Sequence, residues 1–506
     1  MPLPEGFGLV LDRSVRSFGA GTVLVGGYPG RLISLSPEGV RGLAALLAGD
    51  SPSVAARRLG TRLVDAGMAH PRRPATPRPG GAPSVTVVVP AHDRSDALDR
   101  CLRSLGSGLP VVVVDDASED PGTIAGVCRR HGARVIRRAA NGGPGVARNQ
   151  ALEVVDTELV AFVDSDCTVT EGWTERLVWW FDDPGLAAVA PRVRPQGETG
   201  GLERRALRRY SEARSALDMG PDEGEVGPDR LVRYVPTAAL VVRRSALASG
   251  FDPTLRVGED VDLVWRMVAA GWRVRYDPSV TVSHREPSSW PALVARRFHY
   301  GTSAAALSQR HPGCLAPVEL RPWPAAATVA GLCGRPRAAA ALVVAAAAIL
   351  FGKVRHRGIP ARLTLRWSAQ SAGWTAVGVG KAATTLAGPA VAVSMVRGRG
   401  RHRAVAAALV LAPPLVEWWR RRPGLDPVRW AAASIADDVA YGAGVWSGCL
   451  QAGTFGPLVP ELRLGQSGSP GRPDDTGGDS FGGTMEDGEA ARPSARPPAS
   501  GARGGL

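Results

Sequence analysis

Residues 84–163 alternate short β-rich runs with helical stretches, and this alternation constrains the fold more than any other feature. The runs are 84–90, 109–114, 133–137 and 159–163, and helical patterns at 95–105, 122–131 and 146–155 separate them. Strands spaced by helices predict an α/β fold with a mostly parallel, doubly wound sheet. Such sheets bind ligands beyond the carboxyl ends of their strands. Polar residues that directly follow an apolar run are therefore the first candidates for chemistry.

Four further zones flank this core. Residues 1–70 read as a small α/β module, with strands at 22–25 and 31–35 around a Gly-Gly-Tyr-Pro-Gly turn. Ser36 then caps a helix that ends at Gly49, and a second helix covers 54–66. Residues 71–83 (PRRPATPRPGGAP) read as a linker, and 453–506 as a disordered Gly/Pro/Ser/Asp-rich tail. Residues 320–450 are Ala/Val/Leu-rich helical runs broken by basic clusters. With 44% hydrophobic and 21% charged residues, the chain is no fibrous repeat or fully disordered polymer. Its net charge of +14 favours anionic partners: nucleic acid, a lipid surface or a phosphate-bearing substrate. The helix at 54–66 has only Arg57, Arg58 and Arg62 as cations, and no aromatic and basic platform is interleaved anywhere, so nucleic acid is not the expected partner. Six scattered cysteines, none paired as C-x-x-C, suit a reducing compartment. The opening residues show no basic stretch followed by an apolar run, and no secretory signal is expected.

The first run ends at Pro90 and continues into Ala91-His92-Asp93-Arg94. The second ends at Asp115-Asp116, two adjacent carboxylates that repel and lose solvation at a buried strand end. Such a pair fits a group that binds it, such as base N–H donors or ribose hydroxyls; helix capping accounts for Ser118 to Asp120 instead. Residues 141–149 (NGGPGVARN) place a Gly-rich turn before a helix, with Arg148 in its first turn. The fourth run ends at Asp164-Ser165-Asp166, two carboxylates able to reach one divalent cation that would hold a diphosphate.

In that order, PAHDR, VDDASED, GGPGVARN and VDSD resemble the family 2 glycosyltransferases of the GT-A fold; the resemblance covers about residues 84–300, within a domain expected over 84–310. The resemblance implies that Pro90, Ala91, Asp93, Asp115 and Asp116 contact the base and ribose of a nucleotide-sugar donor. It implies that Asp164 and Asp166 hold Mn2+ or Mg2+, with Asp166 the direct ligand, and that Arg148 lies beside the nucleotide. An E-D pair on the acceptor side is matched by Glu259-Asp260, with Asp260 as the general base of an inverting transfer. The same resemblance makes His284 a further metal or diphosphate ligand. Arg296 and Arg297 occupy the place of the processive members' Q-x-x-R-W, where they would bind diphosphate or an acceptor chain. Since that motif is absent, transfer of many sugars in one encounter is not implied.

The N-terminal module resembles the PqqD-like winged-helix modules that hold peptide substrates; a regulatory or packing appendage is the alternative. Together with the segment RRFHYGTS and the hydrophobic C-terminal region, it resembles the mycofactocin-system branch of the family. That branch implies glucose transfer from UDP-glucose onto a peptide-derived cofactor, building a short oligosaccharide. A cell-envelope lipid or polysaccharide acceptor, or a non-catalytic nucleotide-sugar scaffold, are the competing readings. In the C-terminal region, 338–352 is an uncharged run shorter than the ~20 residues of a span. Small-residue helices flanked by Arg fit either peripheral attachment to a membrane surface or a buried helical domain. The expected location is the cytoplasm or the cytoplasmic face of the cell membrane.

Overall fold

The computed structural model describes residues 1–50, 52–73, 83–197 and 201–463. The N-terminal module pairs β1 (Gly8–Leu11) antiparallel with β5 (Ala69–Arg72) and forms a meander of β2 (Arg16–Phe18), β3 (Val23–Gly26) and β4 (Arg31–Ser34). Helices α1 (Pro37–Ala48) and α2 (Val54–Asp65) pack on these strands. Ser36 Oγ accepts from the Gly39 N–H and Pro37 opens α1, as the cap pattern predicts. The hairpin and both helices lie where expected. The module extends to Arg72, because β5 takes the first residues assigned to the linker. The rest of that linker, 74–82, lies outside the described residues.

The main sheet follows from β6 (Val85–Ala91), α3 (Ser95–Leu105), β7 (Val111–Asp115), α4 (Pro121–Arg130), β8 (Arg134–Arg137), α5 (Pro144–Leu152) and β9 (Leu159–Val163). These four strands run parallel in the order β9-β6-β7-β8. The Val-rich stretches of β6, β7 and β9 are buried on both faces, so they read as continuous apolar runs, whereas the edge strand β8 is largely exposed. Pro90 does not stop β6: it pairs with Val114, and Ala91 pairs with Asp115. Next come β10 (Cys167–Val169), α6 (Trp173–Val178), β11 (Leu186–Gln196), α7 (Leu202–Arg214), β12 (Gly224–Glu225), β13 (Ala239–Arg243), α8 (Glu259–Ala269) and β14 (Arg273–Arg285). Here the sheet turns mixed. β13 runs antiparallel to both β9 and β11, while β11 and β14 are parallel. The expected mostly parallel sheet therefore holds for 84–163 only; beyond it, strand direction is set by long-range pairing that periodicity does not encode.

Helix α9 (Trp290–Arg310) leads through β15 (Glu319–Leu320) to a helical region: α10 (Pro322–Leu332), α11 (Pro336–Val354), α12 (Ala361–Arg397), α13 (Arg401–Arg421) and α14 (Pro427–Ala452). Helix α12 kinks at Ala387, just before Pro389. Two helical segments, Pro336–Arg357 and Ala361–Arg397, are long and apolar enough to cross a membrane by length and composition, and little of either is buried. Within the segment expected to be a disordered tail, β16 (Glu461–Leu462) pairs with β15; residues 464–506 lie outside the described residues.

The helical region is fastened to the helices α7 and α9 that follow strands of the main sheet. Arg297 Nε lies 2.6 Å from Asp437, the Tyr210 hydroxyl donates to Asp437 at 2.8 Å, and Arg214 binds Asp438 at 2.7 Å. These bonds tie α7 and α9 to α14. Further along, α9 and α14 touch through glycine: a Cβ on Gly444 would lie 2.0 Å from the Phe298 carbonyl, and one on Gly448 2.3 Å from the Thr302 carbonyl. Gly444→Val is expected to force the helices apart and lose at least about 2 kcal/mol. Gly352→Ala, whose added methyl meets nothing inside α11, should raise the unfolding midpoint slightly, by about 0.5–1 kcal/mol of stability. Thermal unfolding of the two variants checks this.

Candidate functional site

The carboxyl ends of β6, β7 and β9 form one rim, and the loops there are braced to each other. The Asp93 N–H donates to Ser118 Oγ at 2.8 Å, and Asp93 Oδ1 accepts from the Glu119 N–H at 2.8 Å. Asp93, Arg94 and Ala117 all adopt left-handed backbone, with φ of 55°, 50° and 63°. Three non-glycine residues in that region on two adjacent loops store strain at this rim, as functional loops often do.

The Asp115-Asp116 pair is buried, and its two carboxylates point to different partners. Asp115 accepts from the Ser118 N–H at 3.0 Å and pairs with Arg137 at 2.6 Å. Asp116 takes the Gly142 and Gly143 N–H groups, at 3.0 and 2.8 Å, and Arg138 Nε at 2.7 Å. The Gly-rich turn thus spends these two amides on a carboxylate of its own chain. Arg137 and Arg138 were not singled out in the sequence, although they stand directly at the end of the run 133–137.

Arg148 sits in α5 beneath the rim and is buried to 1% exposure. Its Nη2 donates to Asp164 at 2.6 Å, its Nη1 to Glu259 at 2.9 Å, and its guanidinium lies 5.3 Å from the Phe251 ring centroid. The resemblance implies a place beside the nucleotide; in the structure it bridges two of the other candidate residues. Glu259 and Asp260 open α8, whose N-cap Gly258 has φ of 83°. Burial pushes the Asp260 carboxyl up to about 7, with the neighbouring Glu259 charge adding to the effect. Asp164, Glu259 and Asp260 therefore converge from two distant segments.

His284 lies on β14 opposite Cys167 of β10, and this pairing brings it to the D-x-D loop. Its Nε2 is 3.5 Å from Asp166 Oδ1, and Glu286 Oε1 is 3.7 Å from its Nδ1. Burial opposes the imidazolium, but the Glu286 and Asp166 carboxylates outweigh it and raise its pKa. Burial also pushes the Asp166 carboxyl up, with His284 working against it and Asp164 adding to it. Donor atoms in cis positions on a cation at ~2.1 Å stand about 3 Å apart, so Asp166 and His284 fit two corners of such a site. Oxygen and imidazole donors suit Mn2+. Among the described residues no group of three or more His, Cys, Asp or Glu is placed to hold a metal ion.

Arg296 and Arg297 are both engaged within the chain. Arg296 pairs with Glu286, and Arg297 with Asp437 and the Arg214 carbonyl. Glu286, which serves both His284 and Arg296, also escaped the sequence reading. Its position two residues after His284, just past the end of β14, was the available signal.

The Glycosyl transferase family 2 profile matches residues 86–247. Over 486 residues, 91% of this chain and 99% of the relative, the chain is 37% identical to the pre-mycofactocin glycosyltransferase of Mycobacterium tuberculosis. It is 30% identical over 237 residues to the succinoglycan biosynthesis protein ExoO of Rhizobium meliloti, covering 44% of this chain and 67% of the relative. Among solved structures, the mannosyltransferase PcManGT from Pyrobaculum calidifontis in complex with GDP-Man and Mn2+ aligns with a TM-score of 0.36 and 18% identity, over 69% of this chain and 91% of the other. With a mixed α/β sheet of GT-A type and acidic residues gathered at its strand ends, the chain belongs to the family 2 glycosyltransferases.

Proposed function

We propose that the enzyme moves glucose from UDP-glucose onto the peptide-derived precursor of mycofactocin, with inversion, building a short oligosaccharide. The acceptor is suggested by the similarity, nearly end to end, to the pre-mycofactocin glycosyltransferase. The observation that carries the chemistry is the convergence of Asp164 and Glu259 on Arg148, which sets Asp260 beside the D-x-D loop. In this reading Asp260 takes the proton from the acceptor hydroxyl as that oxygen attacks the anomeric carbon. A carboxyl raised to about 7 is well matched to that task near neutral pH. Asp166 and His284, with Asp164, would hold a divalent cation, which when bound neutralises charge on the departing diphosphate. The strained Asp93 loop and the rim at Pro90, Ala91, Asp115 and Asp116 cradle the nucleoside, with the buried D-D pair stiffening the loops around it. Arg296 and Arg297 border the acceptor side, where both act on Tyr300.

The N-terminal module, in the same proposal, is PqqD-like and presents the peptide part of the acceptor. It lies against the catalytic domain through Arg13–Asp222 at 2.5 Å and through Phe7, which joins the sheet's core. A seat at an anionic membrane surface on the cytoplasmic side is also part of the proposal. Exposed Val344, Ile349, Trp374 and Val396 lie on helices flanked by Lys353, Arg355, Arg357 and Arg397.

Asp166→Asn should abolish transfer while leaving the unfolding midpoint unchanged, and excess chelator should silence the wild type until Mn2+ is restored. Full activity in chelator would contradict the cation. Because the raised Asp260 carboxyl is a base only when deprotonated, kcat/KM should fall with unit slope as pH drops below about 7. A profile flat from pH 8 down to the ordinary aspartate range, measured on the wild type, would remove Asp260 from the role.

A further inference from the structure

Glu286 is a buried carboxylate that the proposed transfer leaves without a task, and several elements of the chain meet at it. Its own N–H donates to the Gln196 carbonyl at 3.1 Å, which continues the pairing of β14 with β11 one residue past the strand. Its Oε1 accepts from Ser215 Oγ, at the end of α7, at 2.8 Å. Its Oε2 pairs with Arg296 of α9. Backbone, Oε1 and Oε2 are each held by a different element, so the carboxylate has one orientation. Arg296 offsets the cost of burying the charge. The bond from Ser215 adds direction, since it fixes where Oε1 points.

Oε1 faces His284. The backbone of His284 is locked from both sides, because β14 lies between β10 and β11 and His284 pairs with Cys167 on one and Pro195 on the other. The Arg285 N–H also donates to the Asp166 carbonyl at 3.2 Å, which ties the D-x-D loop to the same strand. Only the side-chain torsions of His284 are left to decide where its ring nitrogens point. Nε2 stands 3.5 Å from Asp166 Oδ1, and Nδ1 stands 3.7 Å from Glu286 Oε1. The buried Nδ1 has no hydrogen-bond partner among the described residues, which is costly for a polar atom out of water. An imidazole that ligates through Nε2 keeps its proton on Nδ1 and needs an acceptor for it. A shift of about 1 Å brings Glu286 Oε1 into that role.

We propose that Glu286 is a positioning residue: it takes the Nδ1–H of His284 and so turns Nε2 toward the D-x-D loop as a donor to the cation. The inference rests on the reading of Asp166 and His284 as cation ligands. It gives Arg296 a part in the donor site, because Arg296 holds the far oxygen of Glu286. His284, Glu286 and Arg296 all lie beyond the 86–247 family segment, so β14 and α9 finish a site that the βα array begins.

The test measures UDP binding to the full chain by calorimetry, with and without MnCl2, and takes the ratio as the gain due to the cation. Glu286→Gln should cut that gain about tenfold. Its UDP affinity without Mn2+ should stay at the wild-type value, which reports an intact fold and nucleotide rim. Because Glu286→Gln leaves Arg296 without its carboxylate, Glu286→Gln combined with Arg296→Gln serves as a second variant and should show the same loss. In a His284→Gln background, Glu286→Gln should change the gain by less than about twofold, since no ring is left to position. An undiminished gain in both Glu286 variants overturns the proposal, and so does an equal loss with and without His284. A wild type whose UDP affinity Mn2+ does not raise overturns the cation reading beneath it.

Discussion

One buried guanidinium organises the catalytic half of this protein. Arg148 has almost no exposure, and its two nitrogens reach carboxylates more than ninety residues apart, Asp164 on the D-x-D loop and Glu259 at the head of α8. Burying such a cation costs several kcal/mol, which only well-made partners offset. Removing Arg148 would leave the Asp164 and Glu259 carboxylates uncompensated against each other, a loss of about 3–5 kcal/mol. The arrangement therefore persists only while the strand end after β9 and the start of α8 stay in register. On the proposed function these are the donor and acceptor sides of one reaction, so a single ion pair network sets their spacing.

A second network fixes the helical region. Asp437 collects Arg297 and Tyr210, and Arg214 spans α7 to α14 through Asp438. Next to it the glycines of α9 and α14 bring backbone onto backbone. Polar anchors give direction to an interface that the small residues alone would leave free to slide. The C-terminal helices are thus integral to the enzyme, whatever surface their exposed apolar faces meet.

Much of the catalytic half was legible in the sequence, because a parallel βα array puts chemistry at strand ends. Asp93, Asp115, Asp116, Asp164 and Asp166 all lie at or just beyond the ends of predicted strands. His284 was legible only through family resemblance, and it reaches Asp166 by cross-strand pairing. What the sequence did not disclose were partners. Arg137 and Arg138 neutralise the D-D pair, and Arg148 faces inward, because side-chain pairing across a hundred residues depends on the closed fold. Likewise β13 enters between β9 and β11 without a periodic signal.

The central claim is that Asp164 and Glu259 depend on the same cation. A double-mutant cycle on unfolding free energy, with Asp164→Asn, Glu259→Gln and the two combined, measures this directly. A shared Arg148 predicts a coupling energy of about 1 kcal/mol or more. Additivity within about 0.3 kcal/mol would show that the two carboxylates act independently and would contradict the account.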